Sequence, residues 1–237
     1  MTVAVMLGAS AQAQPIGGDR YAAGSAVAAI VKVPKPWYAP RFVVVGKMRE
    51  TIPQYQALPG LGFKAFSFAQ ADGHFGGIYL WKDLASARAW FAPAWFARVE
   101  RERGAPGEVR FVEVLAAIDN TPGGTPADAD SSSVATLATS PVPAGSDRHQ
   151  MARQFQSALV ADRQIPGLMR RYFVVTDQGR FGHISQWRDM ASAQQWFNGT
   201  KDSHARSPGS DATVEWFDTP ILLPSSLLAN QPQIPGL

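Results

Sequence analysis

The chain of 237 residues contains no cysteine. That single absence removes disulfides, thiolate metal sites, iron–sulfur clusters and cysteine nucleophiles together. No stretch reaches the roughly 18 consecutive apolar residues of a membrane-spanning helix. Charge is also scarce and balanced: 22 basic residues stand against 19 acidic ones, with no Lys/Arg run of the kind that marks a nucleic-acid-binding tail. The histidines His74, His149, His183 and His204 form no spaced pair of the zinc-site type, so no metal site is expected. What the chain does have is an apolar share of 46%, ample for a packed core.

It also has a repeat. Leu58-Pro59-Gly60-Leu61 returns as Ile165-Pro166-Gly167-Leu168. After a one-residue slip, Gly73-His74-Phe75-Gly76-Gly77-Ile78 returns as Gly179-Arg180-Phe181-Gly182-His183-Ile184. Trp81, Asp83, Ala85-Ser86-Ala87 and Trp90-Phe91 recur as Trp187, Asp189, Ala191-Ser192-Ala193 and Trp196-Phe197, and Ser25, Val27, Ala28, Ile30 and Pro34 match Ser132, Val134, Ala135, Leu137 and Pro141. A self-similarity of this length marks two copies of one domain. The copies are read as residues 25–118 and 132–223, joined by a Pro/Gly/Thr-rich linker over 119–131 and followed by a tail over 224–237. Residues 1–24 form a separate leading segment, in which Met1 to Ala13 ends in the small-x-small pattern Ala11-Gln12-Ala13. Read as a signal peptide it places the protein in the periplasm or outside the cell; otherwise the protein is cytoplasmic.

Each copy follows the order βαββαβ. In the first, Ala26 to Val33 predicts a buried strand, and a helix from Pro40 carries Phe42, Val45, Met48, Ile52 and Tyr55 on one face with a kink at Pro53. Pro59-Gly60 turns into a strand over Leu61 to Phe68, and Asp72-Gly73 into another over Phe75 to Trp81. Asp83 caps a helix carrying Leu84, Ala87, Phe91 and Trp95, and Val109 to Leu115 closes the unit. The second copy predicts strands Val134 to Thr139, Leu168 to Val175, Arg180 to Trp187 and Ala212 to Asp218, with helices Asp147 to Arg163 and Asp189 to Phe197. A four-stranded sheet with both helices on one face leaves its other face bare, and a second such sheet is the natural cover. The expected fold class is therefore α+β: two ferredoxin-like βαββαβ domains packed sheet to sheet as an intramolecular dimeric α+β barrel. The protein is expected to be a monomer with an internal pseudo-dimer.

Pro59-Gly60-Leu61, Lys64-Ala65-Phe66 and Gly76-Gly77-Ile78-Tyr79-Leu80-Trp81, in that order, resemble the YdhR-like branch of the antibiotic-biosynthesis-monooxygenase superfamily. The second copy departs to Gly182-His183-Ile184-Ser185-Gln186-Trp187. The resemblance implies a cofactor-independent monooxygenase that oxidises phenolic or other small aromatic molecules with O₂ and no bound prosthetic group or metal. A non-catalytic binder of small hydrophobic molecules is the alternative, and a haem-binding or haem-degrading protein a more remote one. An oxygenase of that kind needs a base, a cation or hydrogen-bond donor, and aromatic walls. The candidates are Tyr79, Lys64 and His183 for catalysis and Phe66, Trp81, Trp90 and Trp187 for substrate binding. Their alternative roles are as core aromatics, a surface cation recurring as Arg171, and a structural histidine. RNA recognition, which uses the same topology, lacks its stacking aromatics here, so the expected partner is a small molecule, with neither nucleic acid nor membrane.

Overall fold

The computed structural model describes residues 25–36, 38–121, 133–199 and 211–223. The candidate leader, the rest of the linker and the C-terminal tail lie outside them. In the first half β1 (Val27–Val33), a largely apolar and β-branched run interrupted by Lys32, stops at Pro34. The helix expected after Pro40 is two: α1 (Arg41–Glu50) and α2 (Ile52–Gln56). Pro53 lacks an N–H and its ring collides with the carbonyl four residues back, so it starts a new helix instead of bending the old one. The buried stripe is also rotated from the one expected. Val44 and Met48 face inward while Phe42 is 76% exposed. Phe42 to Val45 is apolar on every side of the helix, so periodicity there selects no face.

Gly60, at φ 79°, takes the positive dihedral that a side chain would oppose and turns the chain into β2 (Leu61–Ala69). β3 (Phe75–Trp81) follows, and the Asp83 carboxylate accepts a hydrogen bond from the Ser86 N–H to cap α3 (Leu84–Trp90). The long helix expected through Trp95 is broken as well, because Pro93 sits in the first turn of a separate α4 (Pro93–Arg103). β4 (Glu108–Asp119) runs four residues beyond the expected end at Leu115 and takes in the first residue of the expected linker. The second half comprises β5 (Val134–Pro141), α5 (Arg148–Asp162), β6 (Leu168–Thr176), β7 (Arg180–Trp187), α6 (Met190–Gly199) and β8 (Thr213–Leu223). Asp147 and Asp189 cap its helices as Asp83 does in the first half.

The fold is α+β with an antiparallel sheet. Its strands run β4-β1-β3-β2 in the first half and β8-β5-β7-β6 in the second, the same order twice, and β2 pairs with β8 while β4 pairs with β6 to close an eight-stranded barrel. The two units thus meet by their hydrogen-bonded edges as well as across their inner faces, and closure leaves no free edge. The interior is filled by Ile30, Ile78 and Leu80 from one half and Leu137, Ile184 and Phe217 from the other. With the interior packed, the first-half cleft lies outside the barrel, between sheet and helices.

A cleft over the first-half sheet

β2 and β3 run antiparallel with Lys64 opposite Tyr79 and Phe66 opposite Gly77. Strand alternation sends Ala65, Ile78 and Leu80 into the barrel and leaves Lys64, Phe66, Tyr79 and Trp81 on the helix side. Between that face and the helices α1, α2 and α4 lies a cleft of about 460 Å³, with Lys64, Phe66, Tyr79, Tyr55, Met48 and Trp95 in its lining. Its size lies within the range of small-molecule sites.

Lys64 is 1% exposed, a correction to the surface role open to it in the sequence. Its Nζ lies 3.0 Å from the ring centre of Tyr55, 3.8 Å from that of Phe66 and 4.5 Å from that of Tyr79. Among the described residues no carboxylate pairs with it. Burial alone, with no opposing charge, pushes its amine well below the usual lysine range. The Tyr79 hydroxyl donates to that of Tyr55 at 3.5 Å. Burial first, and then the neighbouring Tyr55, raises the Tyr79 phenol well above its ordinary value. Tyr55 is raised by burial too, against the hydrogen bond from Tyr79 and the charge of Arg98. Both phenols therefore keep their protons at neutral pH and can act as hydrogen-bond donors.

Gly77 lets Lys64 and Tyr79 pack against the backbone of β3. A Cβ at Gly77 would sit 2.9 Å from the Ala65 carbonyl oxygen, 3.0 Å from the Tyr79 ring and 3.1 Å from Lys64 Cε. At the mouth stand Lys47, Arg98 and Arg103, with Glu102 the acid among them. Trp81 and Trp90, expected as walls, are one layer back. Trp81 stacks on Tyr79 with centroids 6.3 Å apart and planes at 12°, and Trp90 meets Tyr55 edge-on at 5.7 Å. They pack against the two tyrosines and are not part of the cleft lining.

The other candidates belong to a different place. On β6 and β7, Arg171 stands opposite Ser185 and Phe173 opposite His183, the positions of Lys64, Tyr79, Phe66 and Gly77 in the first half. His183 thus lies in the second half with Trp187 and does not join Lys64 and Tyr79 in one catalytic set. Arg171 Nε donates to Ser185 Oγ at 2.9 Å, so the Ser185 hydroxyl is free to donate to His183 Nδ1 at 3.2 Å. Arg171 also pairs with Asp162 at 2.9 Å. Burial, and then the Arg171 charge, hold His183 well below its ordinary pKa, so the imidazole is neutral. Its Nε2 is sealed from solvent, and its ring packs edge-on against Trp196 at 5.4 Å. The imidazole stands at the register position of Gly77 in the first half, beside a cation already paired.

Tyr55, Trp95 and Arg98 come to the cleft from the helices, and strand motifs gave no sign of them. The available signals were the places of Tyr55 and Trp95 on the packed faces of their helical regions. Among the described residues no cluster of three or more His, Asp or Glu side chains could hold a metal ion.

The chain matches no family model and no curated protein. Among solved structures it is similar to a candidate monooxygenase of Fusobacterium nucleatum, with a TM-score of 0.59 at 11% identity over 84% of this chain and 94% of that one. A candidate monooxygenase of Lactobacillus acidophilus gives 0.56 at 12% over 84% and 96%, and an anthrone oxidase-like protein 0.53 at 9% over 90% and 97%. What the chain shares with these monooxygenase-like neighbours at such identities is the ferredoxin-like α+β fold with its antiparallel sheet.

Proposed function

We propose that the first-half cleft takes a phenolic or other small aromatic molecule and that the protein oxidises it with O₂ as a cofactor-independent monooxygenase. On this reading the chain is a tandem duplicate of the YdhR-like type whose halves stand in for two subunits, and only the first half keeps a working pocket. The observation that carries it is Lys64: a buried amine without a carboxylate partner, on the floor of an aromatic cleft. A neutral amine there accepts the proton of an incoming phenol, and the ammonium–phenolate pair that results is worth far more in a dry cleft than in water. The Tyr79 hydroxyl orients the phenolate by a hydrogen bond. A phenolate gives an electron to O₂ far more readily than a phenol, and the two radicals then combine at a ring carbon. At a ring methylene the net change is CH₂ + O₂ to C=O + H₂O. Two supports come from the comparisons: a structural neighbour named for anthrone oxidase, and alignments that span both halves within one chain.

Oxygen uptake over a panel of anthrones and hydroquinones, with and without chelator, tests this. Turnover should survive chelation and fall on the order of 10²-fold or more in Lys64→Met, as expected when a positioned charge is removed from a dry site. Saturable binding in the cleft with no uptake by any member of the panel would assign the protein to ligand binding alone.

A further inference from the structure

We infer that Lys64 is a nucleophilic amine which captures an aromatic aldehyde or ketone entering the first-half cleft as a covalent imine. This goes beyond the phenol chemistry and does not depend on it.

An imine-forming lysine needs an unprotonated amine, room beside it for a carbonyl compound, a dry wall and a proton donor for the oxygen that leaves. Among the described residues Lys64 is the one buried lysine. It has no ion-pair partner, whereas Lys47 and Lys82 are 72% and 57% exposed at the side chain and pair with Glu50 and Asp83. Lys64 is part of the lining of a cleft large enough for a single- or double-ring compound, and the rings of Tyr55, Phe66 and Tyr79 gather around its Nζ. Two phenol hydroxyls are at hand. At neutral pH an ordinary lysine is unprotonated in only about one molecule in a thousand. Burial shifts Lys64 toward the reactive form. The arrangement is particular to the first half: at the matching place Arg171 is a poor nucleophile, held by Asp162 and Ser185.

The step balances without an oxidant or reductant. The Nζ lone pair attacks the carbonyl carbon, a C–N bond forms, and the carbonyl π pair moves to oxygen, which takes a proton from Tyr79. The carbinolamine then loses its oxygen as water. Both hydrogens of that water come in net from the amine, with Tyr79 reprotonated, and C=N remains.

Benzaldehyde and sodium cyanoborohydride, added to the full chain at neutral pH, test this by reducing any imine to a stable benzyl amine. Peptide mapping should find the label on Lys64 at a rate on the order of 10-fold or more above Lys47 and Lys82, because only Lys64 is rich in the neutral form. Toluene, which cannot form an imine but fits the cleft, should slow labelling of Lys64 and leave Lys47 unchanged. Label on Lys47 and Lys82 with none on Lys64, or labelling of Lys64 that toluene does not slow, would overturn the proposal. The readout is a mass on the protein in the absence of turnover, so its failure leaves the oxygen-uptake result standing, and the reverse.

Discussion

Lys64→Met should make the protein more stable at neutral pH, although it removes a residue at the centre of the proposed site. Met has nearly the same length and no charge. In the unfolded chain Lys64 holds its proton up to about pH 10.4. In the folded cleft burial lowers that value well below the usual range. Between the two values the unfolded state binds one proton more than the folded state, so the stability of the parent rises with pH, by as much as about 1.4 kcal/mol per pH unit. Below the folded value both states are protonated and the penalty is constant; above the unfolded value it is gone. The rings around Nζ work against this, each contributing on the order of 1–2 kcal/mol to a desolvated ammonium. Removing a charge from water without a counter-ion costs several kcal/mol, so the rings offset burial in part but not wholly, and the net sign favours Met. Urea denaturation of parent and variant at intervals from about pH 6 to 10 yields the difference curve that linkage describes. The advantage of the variant should be largest at the acid end and shrink as pH rises. A difference that stays flat across the window, or a variant less stable throughout, would refute a titrating, uncompensated amine in the cleft.

Gly77→His, which copies the second half, should close the cleft: it should abolish ligand binding measured by titration calorimetry and cost about 1–3 kcal/mol, since the new side chain is forced against Tyr79 and Lys64. Asp162→Ala should destabilise by about 3 kcal/mol in denaturant melts, because Arg171 is left buried and unpaired, while Arg171→Met should cost less by sparing that charge. Light scattering should show a monomer. Proteolysis confined to residues 122–131 should leave the halves associated on a sizing column, held by the β2–β8 and β4–β6 ladders; separation into two folded monomers would contradict the intramolecular barrel.

The strands were easy to see in the sequence because their signals are local. β3 begins at Phe75 and ends at Trp81 as its alternation and flanking turn require, and Asp83 and Asp189 cap helices as their chemistry dictates. The helices were harder where two local signals competed. At Pro53 and Pro93 apolar periodicity continues through a residue that begins a new helix, and the missing N–H outranks the periodicity. Around Phe42 to Val45 no polar residue marks the outer face, so only packing against Phe66 and Phe68 decides which side goes in. The site was half visible. Lys64, Phe66 and Tyr79 lie on two neighbouring strands, so a pleat argument brings them together. Whether Lys64 points to water or under a helix depends on where α2 lies, and that depends on contacts distant in sequence. Tyr55 and Arg98 reach the cleft for the same nonlocal reason. His183 was noticed for the right contrast with Gly77, but the contrast marks a pocket that is filled.

The closure of the barrel has a consequence for the chain as it leaves the ribosome. β2 is made early, yet one of its two neighbours is β8, which begins at Thr213. Until that strand is synthesised, the first half carries an unpaired β2 edge and the apolar inner face that Phe63, Ile78 and Leu80 will later bury against the second half. Synthesis at a few to some twenty residues per second leaves this surface open for on the order of ten seconds, long enough for strand edges on neighbouring nascent chains to find each other. β8, the last strand among the described residues, is thus a safety catch. A truncation that removes β8 would leave β2 and β5 each with one open edge, and its first symptom should be insolubility.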